Sequence, residues 1–525
     1  MVRFMPILRL RRRRVASATG RRAEESRPAP PFASKACAAL ALALVALSAR
    51  APAVGGPSGR PPRPDARRRE ELRALEAVAT EPHEAEAWLR LARARRERAD
   101  LDGALAALGQ ARLWRPADAS TWREAAAAHL AAHRQPEAAR ELACLVDDGP
   151  DTLRLRAELA LLEGRTEAAW RAAHAALRQA PGDAAVTATA AEAAYRSGRL
   201  DRARRLYATT VRLDPWHEVA NMRLGSGFSP HGGRLVFRSV AQRAAFDEAS
   251  QAWRDHDLET ALRRFADLVA DAPDEPRFRL GLGLVLRERA WAESAAAPPA
   301  SWQLEEEARR PVVGEEHLVP GIAALPHDHL AIVRRALRPW EAWLPQLIAA
   351  GGRHEILPLA SSLVDAPERD DLADQTTFDG RWYAHLRGVG GLHAATGEEK
   401  LRAAACHEFD TFAHELAHQI LTYALPADVQ GEVHALWRRA VEANRCLDAY
   451  AASNADEYFA QGYEAFLSTW KLPGIRRTAC HTRDELAARD PDLLALLERL
   501  TKRRPERDPA PDALPPTPDA PPAQR

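Results

Sequence analysis

Prolines recur in the first half of this chain at Pro82, Pro116, Pro150, Pro181 and Pro215, with steps of 34, 34, 31 and 34 residues. Alanines keep the same rhythm at Ala104, Ala138, Ala169 and Ala203, stepping by 34, 31 and 34, and Trp88 and Trp122 are also 34 apart. Between the prolines, apolar residues fall at helical spacing in two stretches per step, as in Ala184 to Arg196 and Leu200 to Leu213. One helix pair of this size cannot bury its own apolar face. Neighbouring pairs therefore have to stack, and stacking with a small constant rotation gives a solenoid with a concave side. This periodicity fixes a helical repeat architecture for residues 67–292.

A 34-residue period with a helix pair and a closing proline resembles the tetratricopeptide repeat. A further unit of the same kind runs from Asp255 to Pro273, with Ala261 in the small-residue position. The Gly-rich stretch from Asn221 to Val240, carrying Leu235 and Phe237, interrupts the pattern and is expected to form a loop or short hairpin. The resemblance implies a protein partner or peptide on the concave face, and the helices carry no ligand or nucleophile constellation of their own.

The second informative segment is Phe412-Ala413-His414-Glu415-Leu416-Ala417-His418-Gln419-Ile420, an H-E-x-x-H pattern in an apolar, helix-forming run. Residues four apart lie on one helix face, so His414 and His418 can direct imidazole nitrogens at one ion, with Glu415 beside them. Phe412, Ala413, Leu416, Ala417, Ile420 and Leu421 would bury the helix against a core. A buried helix that still carries His, Glu and His needs something to satisfy those groups, and a bound cation would do so. The pattern points to two histidine ligands on zinc and Glu415 as general base.

Catalytic zinc takes three protein ligands and leaves one position open. The H-E-x-x-H helix is followed by Tyr450-Ala451-Ala452-Ser453-Asn454-Ala455-Asp456-Glu457-Tyr458-Phe459-Ala460. Together the two motifs resemble the Glu-zincin peptidases, especially the anthrax lethal factor-like group and its bacterial relatives, over roughly the last third of the chain. The resemblance implies Zn2+ held by His414, His418 and Glu457, Glu415 as general base, and Tyr450 as hydroxyl donor to the oxyanion. Gln461 departs from the pattern, standing where many relatives have an acidic residue that orients a ligand histidine. A Gln there can accept the same hydrogen bond without charge.

Glu457 has a competing explanation, because Asn454 three residues earlier makes a capping-box pattern. His434, Glu432 and Asp448 are the other third-ligand candidates. His434 is too far beyond His418 for the metzincin spacing. His407 and Glu408 are expected at the start of the metal helix.

The formal charge of +1 removes any argument for a nucleic-acid surface. Arg11 to Arg14, Arg21 and Arg22 precede an apolar run from Ala36 to Ala49 and small residues near Ala51 and Ala53. That is the grammar of an export signal over residues 1–53, and an uncleaved membrane anchor is the other reading. Of the five cysteines, Cys37 would leave with the signal. Cys446 and Cys480 could bridge around the third-ligand segment, or Cys144, Cys406, Cys446 and Cys480 all remain free thiols.

Residues 54–66 form a Gly/Pro/Arg linker, 293–325 a second linker, 326–502 the metallopeptidase domain and 503–525 a Pro-rich tail. In the last domain, Leu330 to Ala350 is expected as an amphipathic helix, and Ile356–Leu359, Trp382–Leu386 and Leu392–Ala395 as strands around a turn at Gly388–Gly391. His393 on the last strand would face substrate or solvent. An edge strand beside the cleft would pair with an extended substrate.

The expectation is therefore a mainly α protein, a helical repeat solenoid followed by an α+β zincin-like domain. Its expected activity is that of an exported zinc metallopeptidase, with peptide or protein substrates, a protein partner on the repeats and no nucleic acid. A domain starting near Pro326 is expected to bind zinc and cleave short peptides alone. Two rivals stay open: a repeat scaffold without turnover, and a zinc hydrolase of a non-peptide amide.

Overall fold

The computed structural model describes residues 65–226, 235, 237–295, 304–366, 369, 372, 375–376, 382–472 and 481–502. The export signal, nearly all of the 54–66 linker, the Pro-rich tail, Cys37 and Cys480 lie outside the described residues. Among the described residues, no helix is long and apolar enough to cross a membrane.

The repeat region opens with α1 (Ala66–Thr80). Four helix pairs follow: α2 (Ala85–Glu97) with α3 (Leu101–Trp114), α4 (Ala119–Ala131) with α5 (Gln135–Ala143), α6 (Pro150–Leu162) with α7 (Thr166–Gln179), and α8 (Ala184–Arg196) with α9 (Leu200–Leu213). The rhythmic alanines explain the pairing. Ala104, Ala138, Ala169, Ala203 and Ala261 are all fully buried, at the points where only a methyl group fits between the helices.

The prolines stand at helix starts, and three of their carbonyls receive a side chain from six residues downstream. Trp88 Nε1 donates to Pro82 O at 2.8 Å, Asn221 Nδ2 to Pro215 O at 2.9 Å and Arg279 Nε to Pro273 O at 2.7 Å. Three different residue types thus meet one need, a donor for the turn carbonyl at each helix start.

The expected loop from Asn221 to Val240 is shorter than the sequence suggested. Asn221 to Ser226 belong to α10 (Glu218–Ser226), and residues 227–234 lie outside the described residues. Then α11 (Val240–Arg254) pairs with α12 (Leu258–Asp271), and α13 (Pro276–Ala292) packs along α10. The first two helices of the region touch the last: Arg67 of α1 donates its N–H to Glu293 Oε2 at 3.4 Å, and at the end of α2 the Arg98 carbonyl accepts from Ala295 N–H at 2.6 Å while Arg98 Nε donates to Glu293 O at 3.0 Å. A cavity of about 480 Å³ lies inside this closure, bordered by Arg98, Trp216, Arg287, Trp291 and Glu408.

The expected linker 293–325 is not a spacer where it is described. It forms α14 (Leu304–Arg309) and α15 (Glu315–Leu318), and Val312, Leu318, Val319 and Ile322 enter the main C-terminal core. The helix expected over Leu330–Ala350 is broken in two, α16 (His327–Leu337) and α17 (Leu344–Ala349). Pro339 and Pro345 lack the N–H an uninterrupted helix would need.

The sheet has three strands in the order β1-β3-β2. Strand β1 (Arg353–Leu357) runs parallel to β3 (His393–Gly397), and β2 (Gly388–Val389) pairs antiparallel on the outer edge. Pro358 ends β1 two residues before the sequence suggested. The strand expected at Trp382–Leu386 is a 3-10 turn at Tyr383–His385, closed by Leu386 N–H on Tyr383 O. A short apolar run alone does not separate the two conformations.

Helix α18 (Glu398–Ala405) joins the sheet to α19 (Thr411–Gln419); α20 (Ala427–Glu442), α21 (Ala455–Leu467), α22 (Arg483–Arg489) and α23 (Pro491–Thr501) complete the domain. The repeats and this domain share a buried polar seam. Arg402, 1% exposed, donates to Asp328 at 2.7 Å and to the carbonyls of Trp253 and Arg254 at 2.8 and 3.0 Å, and lies 3.4 Å from Glu288. Arg254 in turn grips Glu398 through two bonds of 2.9 Å. Burial pushes the Glu288 carboxyl up to about 7, with Arg402 opposing. A fragment starting near Pro326 would keep Asp328 but remove Trp253, Arg254 and Glu288, leaving Glu398 without its arginine and Arg402 with part of its partners, which speaks against the expected self-sufficient domain.

Candidate metal centre

Helix α19 begins at Asp410, whose side chain accepts from Ala413 N–H at 3.0 Å. Asp410 is fully buried, paired with Arg335 at 2.8 Å, and its own N–H donates to Glu464 Oε1 of α21 at 2.9 Å. Glu464 also pairs with Lys471. This chain of charges locks the start of α19 to the middle of α21.

At its other end α19 is fastened to the sheet by Gln419, the residue after His418. Gln419 Nε2 donates to Arg353 O at 2.9 Å and Leu392 O at 2.8 Å, and its Oε1 lies 3.0 Å from His354 Nδ1. His354 is fully buried, its other nitrogen 2.9 Å from Thr396 Oγ1, and burial pulls its pKa down to about 3. It is therefore a neutral structural imidazole. The helix then widens into a π turn at Ile420–Ala424.

Two fixed helices bring three side chains to one point. His414 Nε2 lies 3.2 Å from His418 Nε2, and Glu457 Oε2 lies 3.1 Å from His414 Nε2 and 3.4 Å from His418 Nε2. Four-coordinate zinc with bonds of about 2.0–2.1 Å separates its ligand atoms by about 3.3–3.4 Å. The triangle formed by these atoms is thus the size of one face of a zinc tetrahedron. Among the described residues, this is the one group of three His, Cys, Asp or Glu residues with that convergence. Glu457 Oε2 is buried and faces the two imidazoles without a well-formed hydrogen bond, as expected of a donor set shaped for a cation, and His414 Nδ1, the ring nitrogen outside the triangle, is also buried without a partner.

The competing cap explanation for Glu457 is half present. Asn454 accepts from Glu457 N–H at 2.8 Å, but the Glu457 carboxylate turns to the histidines instead of back to Asn454. The Asn454 cap thereby aims the carboxylate. Burial would raise the Glu457 carboxyl, but the facing His414 and His418 imidazoles hold it well below the usual carboxylate range. Burial alone would lower His418, but Glu457 and Glu415 raise it above its ordinary value.

Glu415 is half-buried beside the triangle, and burial raises its pKa while His414 and His418 oppose the rise. The edge strand lies directly against it. A Cβ on Gly388 would come 3.1 Å from Glu415 Oε1, and one on Gly390 would come 3.2 Å from Glu415 Oε2 and 3.4 Å from His418 Cβ. Only glycine lets backbone approach the helix this closely. Arg387 anchors that edge, pairing with Glu399 at 2.8 Å and donating to Leu357 O at 3.0 Å.

Tyr450 comes from the turn before α21, and its hydroxyl donates to Glu457 Oε1 at 3.0 Å. The expected bond from a ligand histidine to Gln461 is not formed, since Gln461 Oε1 is buried without a partner. The other candidates lie elsewhere. Glu432 pairs with Arg499, Glu408 with Arg287, and Asp448 with His481 at 3.4 Å, while His434 is exposed and His407 packs against Trp470. His407 and Glu408 sit at the seam with the repeats instead of on α19. Among the described residues Cys144, Cys406 and Cys446 form no disulfide with one another, and His393 is half-buried.

Sequence reasoning missed Gln419, His354, Asp410 and the two strand glycines. Only the placement of Gln419 directly after the second histidine, in an otherwise apolar run, could have singled it out.

Comparison with known proteins identifies the repeats. The tetratricopeptide repeat family matches residues 160–223. Two solved structures are similar at low level: YrrB, described as a TPR protein with an unusual peptide-binding site, at 15% identity and a TM-score of 0.23, covering 41% of this chain and 97% of that one. The second comes from the functional characterization of Pseudomonas aeruginosa pilF, at 15% identity and a TM-score of 0.26, covering 42% of this chain and 90% of that one. No curated protein matches the chain. The chain thus carries a tetratricopeptide repeat domain, matched from the end of α6 into α10.

Proposed function

We propose that this chain is an exported zinc-dependent peptidase of the Glu-zincin type whose tetratricopeptide repeats recruit a protein partner or substrate. The observation that carries this reading is the triangle of His414, His418 and Glu457, with edges of 3.1, 3.2 and 3.4 Å. Zinc held there would polarise a carbonyl and acidify water. Glu415, poised by burial above its ordinary pKa, takes the proton of the attacking water and returns it to the leaving amine. The Tyr450 hydroxyl, now on Glu457, swings to donate to the oxyanion. The edge of β2 offers backbone groups to an extended peptide beside Glu415. Export rests on the grammar of residues 1–53 alone.

A second reading has its own support: the family match lies in the repeats, an architecture used for protein interaction, and a repeat scaffold need not turn anything over. Metal analysis of the purified chain, with a peptide-library cleavage assay and Glu415→Gln as control, separates the two. Zinc together with Glu415-dependent cleavage supports the peptidase. Zinc-loaded protein with no cleavage on any library supports the scaffold or a non-peptide amide.

A further inference from the structure

The turn between α6 and α7 meets the loop that carries Tyr450. Gly164, at the end of α6, has φ of 70°, and a Cβ on it would lie 2.9 Å from Ala449 Cβ. Ala449 immediately precedes Tyr450.

The corresponding turns of other repeats show that the backbone alone does not demand glycine here. Ala99, His133 and His256 occupy the same left-handed position with φ of 60°, 56° and 62°. Gly198, one repeat after Gly164, has φ of 73° and nothing within 4 Å of its Cβ position. What distinguishes Gly164 is the neighbour across the gap. A carbon at 2.9 Å is well inside ordinary contact of about 3.5–4.0 Å, so any side chain there must displace Ala449.

Such a displacement would reach Tyr450 because the loop is a stiff unit. Asp448 Oδ1 accepts from Ala451 N–H at 2.8 Å, Asp448 O accepts from Ala452 N–H at 3.1 Å, and Ser453 Oγ donates to Tyr450 O at 2.7 Å. From the domain side, Arg489 holds Leu447 O at 2.7 Å and Trp437 holds Ala452 O at 3.3 Å. The repeat turn closes the remaining side.

We infer that Gly164 is a positioning residue: the α6–α7 turn of the repeats, seated on Ala449, sets where the Tyr450 hydroxyl stands over the metal centre. The contact stands on geometry, while its catalytic consequence rests on the peptidase reading above. The repeats then do more than recruit, since anything that shifts this turn shifts a group that handles the oxyanion.

The test compares Gly164→Ala, Gly198→Ala, Ala449→Gly and the Gly164→Ala/Ala449→Gly double variant in the full chain. Gly198→Ala carries the same left-handed strain without the contact and so serves as control. Readouts are amide hydrogen exchange of residues 447–454 and kcat on a peptide substrate. Gly164→Ala should speed exchange in that segment and lower kcat by about tenfold or more, Gly198→Ala should do neither, and the double variant should recover both. Gly164→Ala indistinguishable from Gly198→Ala, or no recovery on removing the Ala449 methyl, overturns the inference. Failure of the peptidase reading shows separately, as wild type without zinc or turnover, and leaves the exchange comparison standing.

Discussion

Glu457 Oε2 stands 3.1 Å from His414 Nε2 although the two residues belong to different helices, and each helix is tied down by contacts away from the centre. Asn454 fixes the start of α21, and the Asp410–Arg335 pair with Glu464 fixes the start of α19. On the proposed zinc reading, loss of a ligand should change metal affinity, and loss of a neighbouring group should change turnover alone.

Glu415→Gln is the clearest case of the second kind. The side chain lies beside the triangle without belonging to it, so zinc content should stay at the wild-type level. Peptide turnover should fall by about a hundredfold or more. Near wild-type turnover in this variant would remove Glu415 from the proton transfer.

Tyr450→Phe deletes one hydroxyl that now rests on Glu457 at 3.0 Å. The expected result is kcat lower by about ten- to a thousand-fold, with KM and zinc content little changed. A change confined to KM would make Tyr450 a substrate-binding residue instead.

The sequence displayed the parts of this protein that depend on periodicity. The buried alanines and the helix pairs follow from the repeat step, and the two histidines share a face because they are four residues apart. It hid what depends on the approach of distant segments. Gly388 and Gly390 read as a turn, yet they are what lets the backbone of β2 and the residue after it lie against Glu415. Pro339 and Pro345 break a helix whose apolar pattern runs on through them. Arg402 reads as an ordinary surface arginine on a short helix, and only the docking of α11 and α13 makes it the centre of a buried seam. The capping-box pattern at Asn454 was ambiguous because the same backbone bond suits a cap and a ligand. Only the direction of the Glu457 side chain separates them.

Arg402→Leu tests that seam. It leaves buried Glu288 and half-buried Asp328 without their cation, so a loss of about 3 kcal/mol of stability is expected, read by urea unfolding of the full chain. A change under about 0.5 kcal/mol would mean that the repeats and the C-terminal domain do not share this seam.

His481→Gln should show a defined pH dependence. Burial opposes its charge, but hydrogen bonds to Asp448 and Glu485 raise its pKa to about 9, from an ordinary value of 6.5. A raised folded pKa stabilises fully below the unfolded value and fades as pH rises through the folded one. Wild type should therefore exceed the variant in stability by at most about 3 kcal/mol near pH 6, with the gap closing towards pH 10. A gap that widens with rising pH would show His481 to be neutral in its pocket.

The most direct measurement is zinc stoichiometry and affinity, by elemental analysis and competition with a chromogenic chelator, for wild type and for Glu457→Gln. One zinc per chain is predicted for wild type. Weaker binding by about tenfold or more is predicted for Glu457→Gln, with the far-ultraviolet circular dichroism unchanged. A wild-type chain that takes up no zinc at neutral pH, or a Glu457→Gln chain that binds it equally well, would contradict the three-residue centre.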